Sequence, residues 1–138
     1  MADDLITMDD LTNEQIEALL KDAEKLLPAA KGDVYLPLLE GKLLGNMFFE
    51  PSTRTRMSFE TAMKRLGGNV VNLGALASSS VTKGETLFDT MKMVDGYCDV
   101  AVLRHPRQGA AQYAADACDI PILNGGDGAG HHPTQTLL

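Results

Sequence analysis

Apolar residues recur along this chain with two spacings, one typical of helices and the other of buried strands. The first helical stripe covers residues 12–27, where Thr12 and Gln15 are placed to form a capping box and Pro28 is expected to end the helix. The apolar residues of this stripe are Ile16, Leu19, Leu20, Ala23, Leu26 and Leu27. The stripe predicts a face that packs against an apolar partner, either in this domain or in another one.

Four short apolar runs follow, and their length predicts buried strands. The predicted strands cover residues 41–49, 69–73, 99–103 and 120–123, and the predicted helices cover residues 53–66, 85–97 and 110–117. Residues 74–84 and 124–130 are predicted to be exposed, flexible loops, and a last helix is expected to begin at Pro133. Strands that alternate with helices in this way predict an α/β fold, with a parallel four-stranded sheet flanked by helices.

Composition limits the classes of protein to which the chain can belong. Its 138 residues suffice for one domain with a core, and 44% hydrophobic residues are ordinary for a globular protein. The net charge of −7 and the pI of about 4.8 argue against a nucleic acid or an acidic membrane as partner. We expect neither a signal peptide nor a membrane span, and therefore a cytoplasmic protein with Cys98 and Cys118 reduced and buried.

The stretch from Phe48 to Glu60 contains the residues best suited to binding a ligand. It is predicted to run from strand through turn to helix, so the first amide N–H groups of the helix lack partners within it. These amides lie beside the hydroxyls of residues 52, 53 and 55 and the guanidinium groups of Arg54 and Arg56, a combination that suits a phosphate-like anion. The alternative is a helix capped by one hydroxyl, with both arginines in solvent. The local pattern favours neither interpretation.

Two further groups are expected at the same edge of the sheet. Arg104 follows the third predicted strand, and His132 precedes the last predicted helix. Ligands of parallel α/β sheets bind beyond the carboxyl ends of the strands. We therefore expect the turn at residues 52–56, Arg104 and His132 to converge there, and we interpret His105 and His131 as structural or surface residues.

Four motifs in a fixed order and spacing indicate a resemblance to a known family. They cover residues 48–56, 83–86, 104–106 and 132–135. Over nearly its whole length the chain resembles the aspartate transcarbamoylases, and in particular their N-terminal, carbamoyl-phosphate-binding domain. Lys83 and Thr134 favour this family over the ornithine transcarbamoylases, which typically have cysteine at the position of Thr134 and lack the Lys-Gly-Glu loop.

The resemblance implies a set of residues that bind carbamoyl phosphate. Those that would hold its phosphate are Ser52, Thr53, Arg54 and Thr55. Thr55, Arg104 and His132 would reach the carbamoyl oxygen, and Gln135 would bind the amino group. Arg104 is always protonated and suits the charge that builds up on the oxygen and the departing phosphate, whereas His132 is expected to donate as a neutral imidazole beside a helix N-terminus.

The resemblance also implies a contribution from a neighbouring subunit. In the family, a loop serine and a lysine four residues later reach into the active site of the next subunit of a trimer. These positions are Ser79 and Lys83 here, and Lys83 would contact both the phosphate and the second substrate. The resemblance therefore implies a homotrimer.

The reaction that the resemblance implies is transfer of the carbamoyl group to L-aspartate, which gives N-carbamoyl-L-aspartate and phosphate in pyrimidine biosynthesis. Carbamoyl phosphate carries a good leaving group, so no metal or other cofactor is expected, and the identity of the proton acceptor stays open. Residues 1–138 would form the carbamoyl-phosphate-binding domain, with the aspartate-binding domain absent and little turnover expected from this chain alone. The alternatives are a stand-alone, non-catalytic phosphate-binding or assembly module, and a transcarbamoylase with another amine acceptor such as ornithine.

Overall fold

The computed structural model describes residues 3–73 and 84–138, and in these residues four parallel strands are accompanied by five α-helices. The strands are β1 (Leu43–Phe48), β2 (Asn69–Leu73), β3 (Val100–His105) and β4 (Ile122–Asp127). The helices are α1 (Asn13–Lys31), α2 (Arg54–Arg65), α3 (Leu87–Tyr97), α4 (Ala110–Ala117) and α5 (Pro133–Thr136). The predicted α/β fold with a parallel four-stranded sheet is confirmed.

The strand order β2-β1-β3-β4 places β1 between β2 and β3. The chain leaves β1 toward β2 on one side and returns through α3 to β3 on the other side. The strand order therefore reverses at β1 and β3, and a crevice opens where their carboxyl ends diverge. The register pairs Phe48 with Arg104, so the end of β1 and the end of β3 lie side by side at this crevice.

Side chains on the two faces of the sheet form two apolar clusters. Met47 and Leu103 face α3 and α4, where Met91 of α3 is fully buried among them. Phe48 faces the other way and packs with Met63 of α2 in a smaller cluster. Each fully buried side chain of this size stabilises the fold by about 1.5–3 kcal/mol, so the strands that end at the crevice are rigidly held.

Helix α1 extends further than the sequence predicts. The capping box of Thr12 and Gln15 is confirmed, but the helix continues through Pro28 to Lys31, so the prediction that Pro28 ends it was wrong. Proline removes one N–H donor near the end of the helix, whereas the actual stop is Gly32, whose φ of +83° suits a left-handed C-cap.

The apolar stripe of α1 is largely exposed. Leu19, Leu20 and Leu27 are each more than 40% exposed, and the only residue of α1 that is buried is Ala29. Among the described residues, α1 contacts α2 but does not bury its stripe. The expected packing of this stripe within the domain is therefore not found.

The second half of β4 was predicted to be a flexible loop, and this prediction was wrong. Strand β4 continues to Asp127, and residues 124–127 are buried. The Asn124 side chain donates to the carbonyl of Ile6 (3.0 Å) and accepts from the amide of Gly126 (2.9 Å). A Cβ atom on Gly125 would lie 3.0 Å from Val102, so the glycine permits close packing on β3. Tertiary contacts thus order a stretch that has the composition of a loop.

The N-terminal segment runs beside β4 and covers its outer edge. The amide of Leu5 donates to the carbonyl of Ile122, and the amide of Asn124 donates to the carbonyl of Leu5, both at 2.9 Å. The carboxylate of Asp4 accepts from the amide of Ile122 at 2.7 Å. These bonds continue the sheet beyond β4 and satisfy backbone groups that an open edge would leave unpaired.

Both cysteines are free thiols. Cys98 is buried as predicted, whereas Cys118 is only half-buried, and burial raises the pKa of its thiol to about 11. Across residues 3–73 and 84–138, no helix has both the length and the apolar composition that crossing a membrane requires. The loop predicted for residues 74–84 lies outside the described residues except for Gly84.

Candidate functional site

An open cleft of about 1060 Å³ lies at the carboxyl ends of β1 and β3, next to the N-termini of α2 and α5. Its wall contains every residue that the sequence suggests for carbamoyl phosphate within the described part of the chain. These are Ser52, Thr53, Arg54, Thr55, Arg104, His132 and Gln135. Ser79 and Lys83 lie outside the described residues.

The N-terminus of α2 forms one side of the cleft. Strand β1 ends at Phe48, the chain turns through Ser52, and α2 begins at Arg54 with Thr53 as N-cap. The Thr53 side chain makes no capping hydrogen bond, so the N-cap residue does not support the alternative of a helix capped by one hydroxyl. The amides of the first turn therefore keep their hydrogen-bonding capacity, and the helix dipole favours an anion beside them.

Arg56 was grouped with Arg54 in the predicted anion site, and the structure separates the two. Arg54 lines the cleft, but Arg56 does not, and its Nε is buried without a hydrogen-bond partner among the described residues. Residues two apart on an α-helix point in nearly opposite directions, which explains the separation. Of these two arginines, only Arg54 reaches the cleft.

Arg104 is held at the cleft by two hydrogen bonds. Its Nε donates to Oε1 of Glu50 at 2.8 Å, and its Nη1 donates to the carbonyl of Gly125 at 3.1 Å. These bonds use two of the five N–H donors of the guanidinium fork. The remaining donors make no other hydrogen bond to the described residues, so the arginine presents a fixed positive charge with spare donors to a ligand.

His132 faces the N-terminus of α2 across the cleft. Its Nε2 lies 3.5 Å from Oγ1 of Thr55, while its Nδ1 is buried with no partner in the described part of the chain. Burial lowers the pKa of this imidazole, and the charge of Arg104 lowers it further. A neutral ring at neutral pH agrees with the expectation from sequence. The expected cause was a neighbouring helix N-terminus, whereas the causes in the structure are burial and the charge of Arg104. A buried Nδ1 without an acceptor favours the tautomer whose proton is on Nε2, which makes Nε2 a donor toward the cleft.

Sequence reasoning assigned no role to Glu50 and Gly126, and both support the site. Glu50 is the ion-pair partner of Arg104. Gly126 has a φ of +117°, and a Cβ atom there would lie 2.9 Å from Nη1 of Arg104 and 3.5 Å from Cδ2 of His132. Two signals in the sequence could have indicated these residues: the carboxylate of Glu50 next to the predicted anion-binding turn, and the pair of glycines after Asn124.

The other two histidines do not line the cleft, in agreement with the sequence-based interpretation. His105 packs against the ring of Phe49 at a centroid distance of 5.4 Å, and its Nδ1 accepts from the amide of Arg107. His131 is exposed, and its Nδ1 lies 3.2 Å from Oγ1 of Thr7. In the ranges 3–73 and 84–138, no three His, Cys, Asp or Glu side chains are grouped so as to hold a metal ion.

Comparison with known proteins points to one family. The family model described as "Aspartate/ornithine carbamoyltransferase, carbamoyl-P binding domain" matches residues 3–138. The chain is 60% identical to the aspartate carbamoyltransferase catalytic subunit of Archaeoglobus fulgidus, over 97% of this chain and 45% of that protein. It is 58% identical to the subunit of the same name from Methanothrix thermoacetophila, over 97% of this chain and 44% of that protein.

Solved structures give the same result. Aspartate transcarbamoylase from Trypanosoma cruzi in complex with carbamoyl phosphate and aspartate matches with a TM-score of 0.91 and 44% identity, over 97% of this chain and 42% of that chain. The catalytic subunit of M. jannaschii aspartate transcarbamoylase matches with a TM-score of 0.89 and 51% identity, over 97% of this chain and 44% of that chain. The chain thus spans less than half the length of these relatives. On the match of the family model over residues 3–138, the chain belongs to the aspartate/ornithine carbamoyltransferase family and corresponds to its carbamoyl-phosphate-binding domain.

Proposed function

We propose that this chain binds carbamoyl phosphate in the cleft between β1 and β3 and is the carbamoyl-phosphate-binding domain of an aspartate transcarbamoylase. The whole protein would transfer the carbamoyl group to L-aspartate and so make N-carbamoyl-L-aspartate and phosphate for pyrimidine synthesis. The observation that carries the proposal is that the N-terminus of α2, Arg104 and His132 all line one cleft.

The phosphate would bind at the N-terminus of α2. Free first-turn amides, the helix dipole, the hydroxyls of Ser52, Thr53 and Thr55, and the guanidinium of Arg54 all lie on this side of the cleft. Each charge-assisted hydrogen bond to a phosphate contributes about 1.5–3 kcal/mol, so a few of them suffice to hold a small dianion.

The carbamoyl group would lie toward Arg104 and α5. The spare donors of Arg104 and the Nε2 proton of His132 are placed to stabilise the charge that develops on the carbamoyl oxygen, together with the hydroxyl of Thr55. Gln135 lies in the same wall and would accept from the carbamoyl amino group. Arg104 would also stabilise the departing phosphate, and no covalent intermediate is needed because phosphate is a good leaving group.

The second substrate would bind beside carbamoyl phosphate with the help of residues that follow this chain. The cleft, at about 1060 Å³, is larger than the usual pocket for a drug-sized ligand, which leaves room for an amino acid. A relative with 44% identity has been crystallised with both carbamoyl phosphate and aspartate. Holding the two substrates together would supply much of the rate enhancement.

We further propose that the whole protein is a cytoplasmic homotrimer. The support is the family resemblance, in which a loop serine and lysine at the positions of Ser79 and Lys83 complete the site of a neighbouring subunit. Size-exclusion chromatography with light scattering tests the trimer. A monomer at all concentrations of the whole protein would contradict it.

Calorimetric titration with carbamoyl phosphate tests the binding proposal. We expect saturable binding by the chain and at least about tenfold weaker binding by Arg54→Ala, because one charge-assisted bond is lost. Arg65→Ala is the matched control, since Arg65 belongs to the same helix, is exposed and does not line the cleft. It is expected to bind like the unaltered chain.

Two outcomes would refute parts of the proposal. If Arg54→Ala binds as tightly as Arg65→Ala, the N-terminus of α2 is not the phosphate site. If the chain alone steadily converts carbamoyl phosphate and L-aspartate to N-carbamoyl-L-aspartate, then aspartate does not need residues outside this chain.

A further inference from the structure

The carboxylate of Asp127 closes the loop that leads into α5. Asp127 is the last residue of β4 and is only 3% exposed. Its Oδ1 accepts from the amide of His131 at 2.6 Å, and its Oδ2 accepts from the amide of Gly109 at 2.9 Å. Two backbone bonds close the same loop, one from Gly130 to the carbonyl of Asp127 at 2.9 Å and one from Asp127 to the carbonyl of His131 at 3.3 Å.

These bonds fix the point at which the chain enters the cleft. The residue held by Oδ1 immediately precedes His132, which is the N-cap of α5. Helix α5 has only four residues, and the carbonyl of His132 accepts from the amide of Gln135. A shift at residue 131 therefore moves His132 and Gln135 together.

The amide of Gly128 donates to the carbonyl of His105 at 2.9 Å, and Pro133 is buried after the loop, but in the described part of the chain only Asp127 bonds through its side chain to the backbone of residues 128–131. Residues 128–130 are Gly-Ala-Gly, which have high backbone freedom, and all three are exposed. The side chain of His131 contacts Thr7, but this contact is exposed. The second anchor of the carboxylate, Gly109, is the N-cap of α4, and α4 is fixed because Ala110, Ala111 and Ala114 are buried. Asp127 thus ties the loop to a rigid part of the domain.

The chemistry of the two partners requires a carboxylate rather than an amide. Both partners are backbone N–H donors, and an ionised carboxylate has an acceptor oxygen for each of them. An asparagine side chain has one acceptor oxygen and one NH₂ group, so one of the two backbone donors would face another donor. The substitution Asp127→Asn keeps the shape of the side chain and breaks one anchor.

We propose that Asp127 is a positioning residue that places His132 and Gln135 for the carbamoyl group while leaving the phosphate end of the cleft untouched. This inference rests on the proposed function, in which those two residues bind the carbamoyl end and the N-terminus of α2 binds the phosphate. Asp127 does not line the cleft, so it acts through the loop and not on the ligand.

The test compares carbamoyl phosphate with inorganic phosphate as ligands of the chain. Both ligands use the phosphate end of the cleft, and only carbamoyl phosphate uses His132 and Gln135. In Asp127→Asn, we expect the preference for carbamoyl phosphate over phosphate to fall about tenfold, with the Kd for phosphate within about twofold of the unaltered chain. Asp95→Asn is the matched control, because one oxygen of Asp95 also accepts from two backbone amides, those of residues 119 and 120, at 2.8 and 3.1 Å.

A second variant perturbs the anchor without changing its charge. A Cβ atom on Gly130 would lie only 2.5 Å from Oδ1 of Asp127, so Gly130→Ala must displace the carboxylate or the loop. We expect the same selective loss of the carbamoyl preference. This variant keeps the test available if Asp127→Asn does not fold.

A ligand-free readout separates this inference from the proposed function. Nuclear magnetic resonance spectra of the variants are expected to show shifted signals for the His132 ring and the Gln135 amide, with the amides of residues 52–55 unchanged. Unmoved His132 and Gln135 signals would overturn the positioning role, and so would an equal loss of phosphate and carbamoyl phosphate binding. If the unaltered chain binds neither ligand while the His132 and Gln135 signals move as expected, the proposed function fails and the positioning role stands.

Discussion

Replacing Gly126 by alanine is expected to damage the cleft without adding a charge or removing a hydrogen-bonding side chain. Gly126 has a φ of +117°, a region that residues with a Cβ atom rarely adopt. The new methyl group would also lie 2.9 Å from Nη1 and 3.3 Å from Cζ of Arg104. The guanidinium would therefore have to move by several tenths of an ångström, away from its present partners.

The expected size of the effect follows from these two contributions. Backbone strain at positive φ costs about 1–2 kcal/mol of stability. If the displaced Arg104 loses one charge-assisted hydrogen bond to the ligand, binding weakens by about 1.5–3 kcal/mol, which is roughly 10- to 150-fold in Kd. Stability and affinity are thus both expected to fall, and they can be measured separately.

Gly41→Ala is the matched control for strain alone. Gly41 has a φ of +77°, and a Cβ atom there would meet no atom within 4 Å. Thermal unfolding is expected to show a lower Tm for both variants, by roughly 4 °C per kcal/mol for a chain of this size. Calorimetric titration with carbamoyl phosphate is expected to show weaker binding for Gly126→Ala only.

If Gly126→Ala binds carbamoyl phosphate within about twofold of Gly41→Ala, then the position of Arg104 against the backbone of β4 does not determine affinity. In that case the contacts of Arg104 with Glu50 and Gly125 would be structural only.

Three further predictions concern single side chains. Glu50→Gln removes the carboxylate 2.8 Å from Arg104, so we expect thermal unfolding to show a loss of stability of about 1 kcal/mol. Because a negative charge beside the cleft is removed, inorganic phosphate is expected to bind about threefold more tightly. Weaker phosphate binding would contradict this. Asn124→Ala leaves the carbonyl of Ile6 and the amide of Gly126 without partners, so we expect the free energy of unfolding to fall by about 2–4 kcal/mol in urea. An unchanged urea midpoint would contradict the role of this side chain in β4. The hydrogen bond from Lys92 lowers the pKa of Asp95. This carboxylate therefore makes its complete contribution to stability above its ordinary pKa, and the contribution is lost as the pH falls through the lowered value. Urea unfolding at pH 7 and pH 3 should therefore show a smaller loss of stability on acidification for Asp95→Asn than for the unaltered chain, and an equal loss would contradict this.

Local signals in the sequence were sufficient for two helices with clear apolar positions, α3 and α4. Helix α3 begins after the Thr86 cap and ends at Tyr97, and α4 covers residues 110–117, both close to the prediction. In α3, Thr90, Met91 and Val94 are buried, and Leu87 is partly buried. Caps and periodicity are properties of neighbouring residues, so they can be read without knowledge of the fold.

One error occurred where distant residues decide the structure, and another where a local helix-stop signal was overlooked. The Asn-Gly-Gly-Asp stretch of β4 has the composition of a loop, and it becomes a strand because Asn124 bonds to Ile6 and the glycines pack against β3. Pro28 looked like a helix end because the left-handed stop at Gly32 was not weighed. The strand is not determined by local propensity, whereas the glycine stop is a local signal that the sequence carries.

In the candidate site, too, some features follow from neighbouring residues and others depend on distant ones. The motif around Ser52 predicted the turn that lines the cleft, and the order of the strands explains why Arg104 lies beside it. The opposite directions of Arg54 and Arg56 follow from helix geometry and could have been predicted. The pairing of Arg104 with Glu50 could not, because it depends on the register of β1 and β3.

The pairing of the N-terminal segment with β4 also affects how the domain folds. Hydrogen bonds between Leu5 and residues 122 and 124 join parts of the chain that are almost the whole sequence apart. During synthesis at about 5–20 residues per second, the segment around Leu5 must wait several seconds or more for its partner strand. Contacts of such long sequence separation form late and slow the overall rate of folding. We therefore expect the edge of β4 to be the last part of the sheet to close, and the unpaired strand to be the point at which a partly folded chain is most prone to aggregate.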